Sequence, residues 1–178
     1  MSNITAGTWV LDPTHTEIGF SVRHIMSKVR GKFETFEGTL VTADDITNST
    51  VSVSVDLSSI NTGTADRDNH LRSGDFFSIE THPTMTFATT GVAQNSDTDF
   101  VVTGDLTIKG ISKSIDLAVE FLGEGKDPWG GTRVGVEASA VISRKDWGID
   151  FNIPLEGDKV MIGDKITITI NAEAVLQA

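Results

Sequence analysis

The strongest constraint on the fold is an alternation of apolar and polar residues with period two that runs through most of the chain. Successive side chains of a strand point to opposite faces, so this pattern specifies strands with one apolar and one wet face. In the first clear case Ile18, Phe20, Val22 and His24 share one face, and Glu17, Gly19, Ser21 and Arg23 share the other. Residues 31–41 read as a strand pair or one bent strand anchored by Phe33 and Leu40, with Gly38 as a candidate bulge. Val51, Val53, Val55 and Leu57 alternate with Ser52, Ser54 and Asp56, and Met85 and Phe87 resume the pattern after a His82-Pro83 turn. Phe100, Val102, Leu106 and Ile108 lead to a Lys109-Gly110 hairpin turn, from which Ile115, Leu117, Val119 and Phe121 return. Beyond a loop at residues 123–131 come Val134, Val136, Ala138, Ala140 and Ile142, and the last strand carries Ile166, Ile168, Ile170, Ala172 and Ala174.

Roughly eight one-sided strands with tight turns between several of them predict an antiparallel barrel or sandwich. The choice bears on function. A sandwich closes its core with interdigitating side chains, whereas an eight-stranded up-and-down barrel can leave room for one small ligand. The last strands present Ala, Val and Ile, and the tryptophans lie near strand ends or loops, so few bulky side chains remain to plug a barrel. This favours a hollow barrel, although small residues also suit close sheet packing. With no repeat, low-complexity segment or linker, residues 1–178 read as a single domain.

One stretch breaks the alternation. Asp66 to Phe77, DRDNHLRSGDFF, is too polar for a core and runs into two phenylalanines. Thr64 suits the cap of a short helix, Asp66 its first turn, Arg72 its last turn and Gly74 a left-handed stop. Helical spacing puts Arg67, His70 and Leu71 on one side. That side has two nitrogen-bearing groups and one aliphatic chain, which suits a solvated turn or a polar lid.

The 14 basic and 25 acidic residues leave a net charge of −11, which repels phosphate backbones and makes nucleic acid a poor partner. Without cysteine there are no disulfides, thiolate metal sites or cysteine nucleophile. The four histidines, His15, His24, His70 and His82, lack metalloprotease spacing. No metal or cofactor motif is present, nor a nucleophile elbow, phosphate-binding loop or dinucleotide fingerprint. No apolar run approaches the roughly 20 residues of a transmembrane helix. The opening residues MSNITAGTW carry neither a basic nor an apolar leader region, so the expected location is cytoplasmic, or periplasmic or secreted if a leader has been removed.

Four segments, DPTHTEIGFSVRH, INTGTADRDNHLRSGDFFSIETHPTMTF, GDLTIKGISKSIDL and SRKDWGI, resemble the YceI family in wording and order, and together span nearly the whole chain. The resemblance implies an all-β, antiparallel, roughly eight-stranded lipocalin-like up-and-down barrel with a short helix between the third and fourth strand regions. It further implies a binding or carrier protein for polyisoprenoids or related long-chain amphiphiles held in the interior, without established catalytic activity. Some family members are periplasmic, and a homodimer is among the assemblies the resemblance suggests.

Against that frame the candidate residues divide into rim and lining. His24 continues an inward face and is either a core histidine satisfied by a backbone carbonyl or a headgroup contact. Arg67 and Asp68 either pin the helix to the barrel rim or, with His70 in place of Asp68, meet the polar end of an amphiphile. Arg144, before Asp146, has the same two roles open to it, a structural pair being favoured. Phe76 and Phe77 divide between core packing and contact with a lipid tail. The expected lining is Phe20, Val22, Phe76, Phe77, Phe87, Leu106, Ile108, Leu117, Val119, Val136 and Ile168. Two alternatives remain open at this level: an enzyme acting on a lipid or isoprenoid quinone in the same cavity, and a structural barrel with a filled core.

Overall fold

Three of the barrel's wall positions are built from interrupted strands, and the interruptions explain how a chain of short alternating runs closes a tall barrel. The computed structural model describes residues 4–157 and 159–178. Strands β1 (Gly7–Leu11) and β2 (Glu17–His24) run in one line, broken at Asp12-Pro13. Proline removes a ladder donor there, and the Asp12 carboxylate accepts a hydrogen bond from Thr14 N, 2.9 Å, to close a single 3-10 turn. Strands β3 (Ser27–Phe33) and β4 (Phe36–Thr42) return alongside them, β3 against β2 and β4 against β1. Strands β5 (Thr50–Asp56) and β6 (Ile60–Asn61) form the third interrupted position, pairing with β4 and β3.

The other five positions are continuous: β7 (Thr84–Gln94), β8 (Asp99–Ile108), β9 (Ile111–Lys126), β10 (Thr132–Ser143) and β11 (Ile162–Leu176). Each pairs antiparallel with its neighbour. Closure comes from β11, whose first part pairs with β2 and whose end pairs with β1, Trp9 opposite Leu176. The result is a closed, eight-position antiparallel up-and-down barrel with one short helix, α1 (Ala65–Arg72), inserted between the third and fourth positions.

Residues 31–41 are thus the end of β3, a two-residue break and β4, so the bent-strand reading holds and the strand pair does not. Gly38 is not a bulge. It sits in register opposite Val53, and the Leu11 side chain occupies the space a Cβ would need. The register shifts fall at Thr89/Gly91, Gly135/Val136 and Ile162/Ile166. The loop expected at 123–131 shrinks to a turn at 127–131, because β9 continues through Gly123 and Gly125 to Lys126. Lys109 and Gly110 both adopt positive φ, 53° and 74°, as a two-residue hairpin between twisted strands demands.

Two of the three tryptophans fill the ends of the barrel, contrary to the expectation that bulky plugs are scarce, while Trp129 is exposed. Trp9 is fully buried with Val134 and Ala174, and its Nε1 donates to Thr42 Oγ1 at 2.9 Å. Trp147, in a 3-10 turn after β10, is buried with Leu106 and Ile149, and its Nε1 donates to the Leu106 carbonyl at 2.9 Å. Both indoles bury a large apolar area with their one donor satisfied, each gaining roughly 1.5–3 kcal/mol from burial.

Candidate functional site

Between these plugs lies an apolar cavity of about 390 Å³, within the roughly 300–1,000 Å³ of small-molecule pockets. A filled-core barrel would have no such space. Phe20, Val22, Phe76, Phe77, Phe87, Leu106, Ile108, Leu117, Val119, Val136 and Ile168 all line it. Strand alternation puts nine of them inside, Phe76 and Phe77 come from the turn after the helix, and two of the aromatic rings lie against glycines across the sheet: Phe20 over Gly31 and Phe87 over Gly104. Any side chain at those glycines would push the rings into the cavity. Phe76, Phe87, Leu106, Ile108 and Leu117 also belong to the buried core, so the same atoms hold the fold and bound the space.

Helix α1 closes one part of the mouth. Arg67, His70 and Leu71 all line the cavity, as helical spacing requires. The helix is held differently from the sequence expectation. Thr64 is extended but makes no side-chain capping bond, and Gly74 is not left-handed; Ser78, φ 54°, is. Thr62 organises the start instead. Its N–H and hydroxyl donate to Asp68 Oδ1 at 2.9 and 2.6 Å, while its hydroxyl and carbonyl accept from Arg67 Nε and Nη2, each at 2.7 Å. Asp68 is buried and does not line the cavity, so its carboxylate is a fastener committed to Thr62. The last turn ends at Ser73, whose N–H and hydroxyl both donate to the His70 carbonyl. Arg72, which sequence reasoning valued only for its charge at the helix end, ties the helix to the barrel by donating to the carbonyls of Ser58 and Ile60 at 3.0 and 3.1 Å.

A strap, residues 148–157 and 159–161, lies at the same mouth, with Ile149 and Met161 on the cavity wall. Arg144 anchors it. Only 4% exposed, its guanidinium donates to the carbonyls of Gly163, Ile149 and Phe151, each at 2.9 Å. Burial pushes the guanidinium below its ordinary pKa, while Asp164 and Asp150 act in the opposite sense. Asp164 lies 3.8 Å away, and Asp146, the neighbour read from sequence, forms no pair with Arg144 among the described residues. Arg144 is therefore a clamp on backbone carbonyls, although its stem also reaches the cavity wall.

Strap and helix meet at an aromatic contact that sequence reasoning missed. His70 lies edge-to-face with Phe76 and Phe151, and those two rings are 5.3 Å apart. His70 Nε2 is 2.8 Å from Asp75 Oδ2. No alternation marks residues 148–161, so nothing in the sequence flagged Phe151. His24 is half-buried on the lining, and among the described residues its imidazole has no hydrogen-bond partner, so the backbone-satisfied core histidine is not what is observed.

One group of metal-ligand residue types occurs among the described residues: Asp12, His15 and Glu173, on the outside of the barrel. The Arg133 guanidinium sits where a cation would, 2.6 Å from Asp12 and 3.3 Å from Glu173, with Asp127 at 2.9 Å on its other side. Arg133, and after it His15, hold the Asp12 carboxyl well below the usual carboxylate range, and the two aspartates in turn raise the guanidinium. The cluster fastens the β1–β2 break to β10 and β11.

Comparison with known proteins bears on the same architecture. A UPF0312 protein of Azotobacter vinelandii is 35% identical over 97% of this chain and 88% of its own. The crystal structure of the Campylobacter jejuni YCEI protein superposes with a TM-score of 0.74 at 30% identity, covering 100% of both chains. A polyisoprenoid binding domain from Saccharophagus degradans shares the fold, with a TM-score of 0.70 at 16% identity over 97% of this chain and 100% of that one. The YceI-like domain model matches residues 9–174, from the plug Trp9 to the closing strand, and the chain belongs to that family.

Proposed function

We propose that this protein is a non-catalytic carrier that holds the tail of an isoprenoid or other long-chain amphipathic lipid in the barrel cavity, with the polar head at the lid. The observation that carries this reading is an apolar cavity whose basic lining side chains, His24, Arg67, His70 and Arg144, belong to the helix and to the strand ends beside the strap, while the rest of its polar lining is hydroxyls such as Thr16, Thr42 and Ser49. The Saccharophagus domain, described as polyisoprenoid binding, supports the ligand class through a shared fold. Binding requires no covalent step. Removing apolar surface from water yields about 25 cal/mol per Å², so a chain of many methylenes or prenyl units supplies ample affinity.

The lid residues then set orientation. Arg67 spends Nε and one terminal nitrogen on Thr62, which fixes the plane of the guanidinium and leaves its other terminal nitrogen for an acidic or accepting head. His24 offers an imidazole on the same cavity that has no hydrogen-bond partner among the described residues. Organic extraction of the purified protein followed by mass spectrometry tests the reading. A co-purifying isoprenoid or long-chain lipid, or uptake of added polyprenyl chains, is the expected result; neither lipid nor uptake would overturn it.

A further inference from the structure

The β2–β3 hairpin carries a charge and an apolar tip that the cavity does not explain. From Ile18 to Phe33 the sequence has four Lys or Arg residues and no Asp or Glu, in a chain of net charge −11. Register gathers them on one outer face: Arg23 opposite Lys28, Ser21 opposite Arg30 and Gly19 opposite Lys32. Lys165 lies beside them on β11, next to the Ile166–Val22 pair. All five basic side chains are exposed, and among the described residues none has a carboxylate within salt-bridge distance. Of the described lysines and arginines only Arg133, Arg144 and Lys145 have an acidic partner, so what sets the hairpin apart is the gathering of its cations on one face.

At the end of this basic face the chain turns through Ile25 and Met26. Met26 is 93% exposed and Ile25 49%, and Ile25 holds φ 57°, a conformation that opposes a β-branched side chain. The turn is tied to the strap, since Ile25 N donates to the Met161 carbonyl and Met161 N to the Ile153 carbonyl. Ile153 and Val160 on the strap are exposed as well, so the apolar tip broadens next to the mouth. The wall beside it is thin. β6 pairs only with Lys32 and Phe33, leaving the rest of β3 without a second neighbour, and Val29 and His24 from this hairpin line the cavity.

We infer that the β2–β3 hairpin docks the barrel mouth on an anionic phospholipid membrane. The basic face meets anionic headgroups, and Ile25 and Met26 enter the interface. Charge complementarity selects this partner: a bilayer surface with anionic lipid attracts a local basic patch within a Debye length, even when the remaining surface is acidic. An exposed apolar tip beside unpaired cations is the composition that interfacial binding rewards. The strap carries exposed Asp150 and Glu156 and the helix region exposed Asp66 and Asp75, while Asp164, beside Lys165, lies against Lys145 and Arg144, so the hairpin rather than the helix is the element suited to the bilayer. This inference rests on the lipid-carrier reading for its purpose.

Co-sedimentation with vesicles of phosphatidylcholine alone and of phosphatidylcholine with phosphatidylglycerol tests it. The intact chain is expected to bind the anionic vesicles and release them at high salt. The double variant K28E/R30E and the single variant M26E are each expected to bind about tenfold more weakly with unchanged thermal unfolding. Equal binding by the variants, or no preference for anionic vesicles, would overturn the docking surface. So would self-association lost in the variants without vesicle binding, since the face then belongs to a second copy. Vesicle binding without uptake of polyprenyl chains would support the docking surface while overturning the carrier reading.

Discussion

His70 and Phe151 stand edge-to-face with ring centroids 4.9 Å apart, and this contact joins the helix on one side of the barrel mouth to the strap on the other. Phe76 completes a three-ring cluster under them. A ligand tail entering past the helix has to part these rings, so the cluster acts on exchange rate more than on affinity. Each aromatic contact is worth about 0.5–1.5 kcal/mol. Phe151→Ala is therefore expected to speed release of a bound fluorescent polyprenyl chain by roughly tenfold with a smaller change in equilibrium affinity. Stopped-flow release measures this, and an unchanged rate would place the route elsewhere.

Arg144 holds the strap through three backbone carbonyls. A lysine keeps the charge but not the planar fork that reaches all three. Arg144→Lys is expected to cost at least about 3 kcal/mol in urea unfolding, since buried carbonyls lose their donors. Limited proteolysis is expected to cut first within residues 148–161.

Arg67 divides its guanidinium between Thr62 and the cavity. Arg67→Ala is expected to lower stability by about 1–3 kcal/mol, from two charge-assisted hydrogen bonds in a half-exposed setting. It is also expected to reduce the preference for a polyprenyl phosphate over the corresponding polyprenol. Lost stability with that preference intact would make Arg67 a fastener alone.

The Asp12–Arg133–Asp127 cluster gives stability a defined pH dependence. Both carboxyls lie below their ordinary value of 3.8 in the folded chain, chiefly through hydrogen bonds from Arg133. A depressed folded pKa contributes stability that is fully present above the unfolded pKa and lost as pH falls through the folded one. The stability difference between the intact chain and Arg133→Met is therefore expected to be constant above about pH 5 and to shrink below about pH 4. Urea unfolding across that range checks it, and a difference that persists at low pH would contradict the assignment.

Much of the barrel is legible in the sequence because its physical cause is local. Alternation puts Phe87, Leu106, Leu117 and Ile168 inside whichever neighbour each strand takes, and Lys109-Gly110 carries its own turn chemistry. What is illegible depends on long-range partners. β3 begins at Ser27, but its outward Lys28, Arg30 and Lys32 and inward Val29 and Gly31 make a weak apolar face, so only its end could be read. Thr62, the hub for Arg67 and Asp68, shows no motif, and Gly38 marks a neighbour's bulk, Leu11, that sequence cannot supply. Phe151 lies in an irregular strap whose position is set by Arg144 and Asn152.

The central claim is that the cavity itself is the binding site. Equilibrium titration of a polyprenyl chain into the intact protein and into the variant V119F/I168F measures this most directly. Both positions face the cavity, Val119 on β9 and Ile168 on β11 with β10 between them, so two phenyl rings fill space that already exists. With folding verified by circular dichroism and thermal unfolding, the account predicts saturable binding by the intact chain and its loss in the filled variant. Undiminished binding by a folded, filled variant would contradict it.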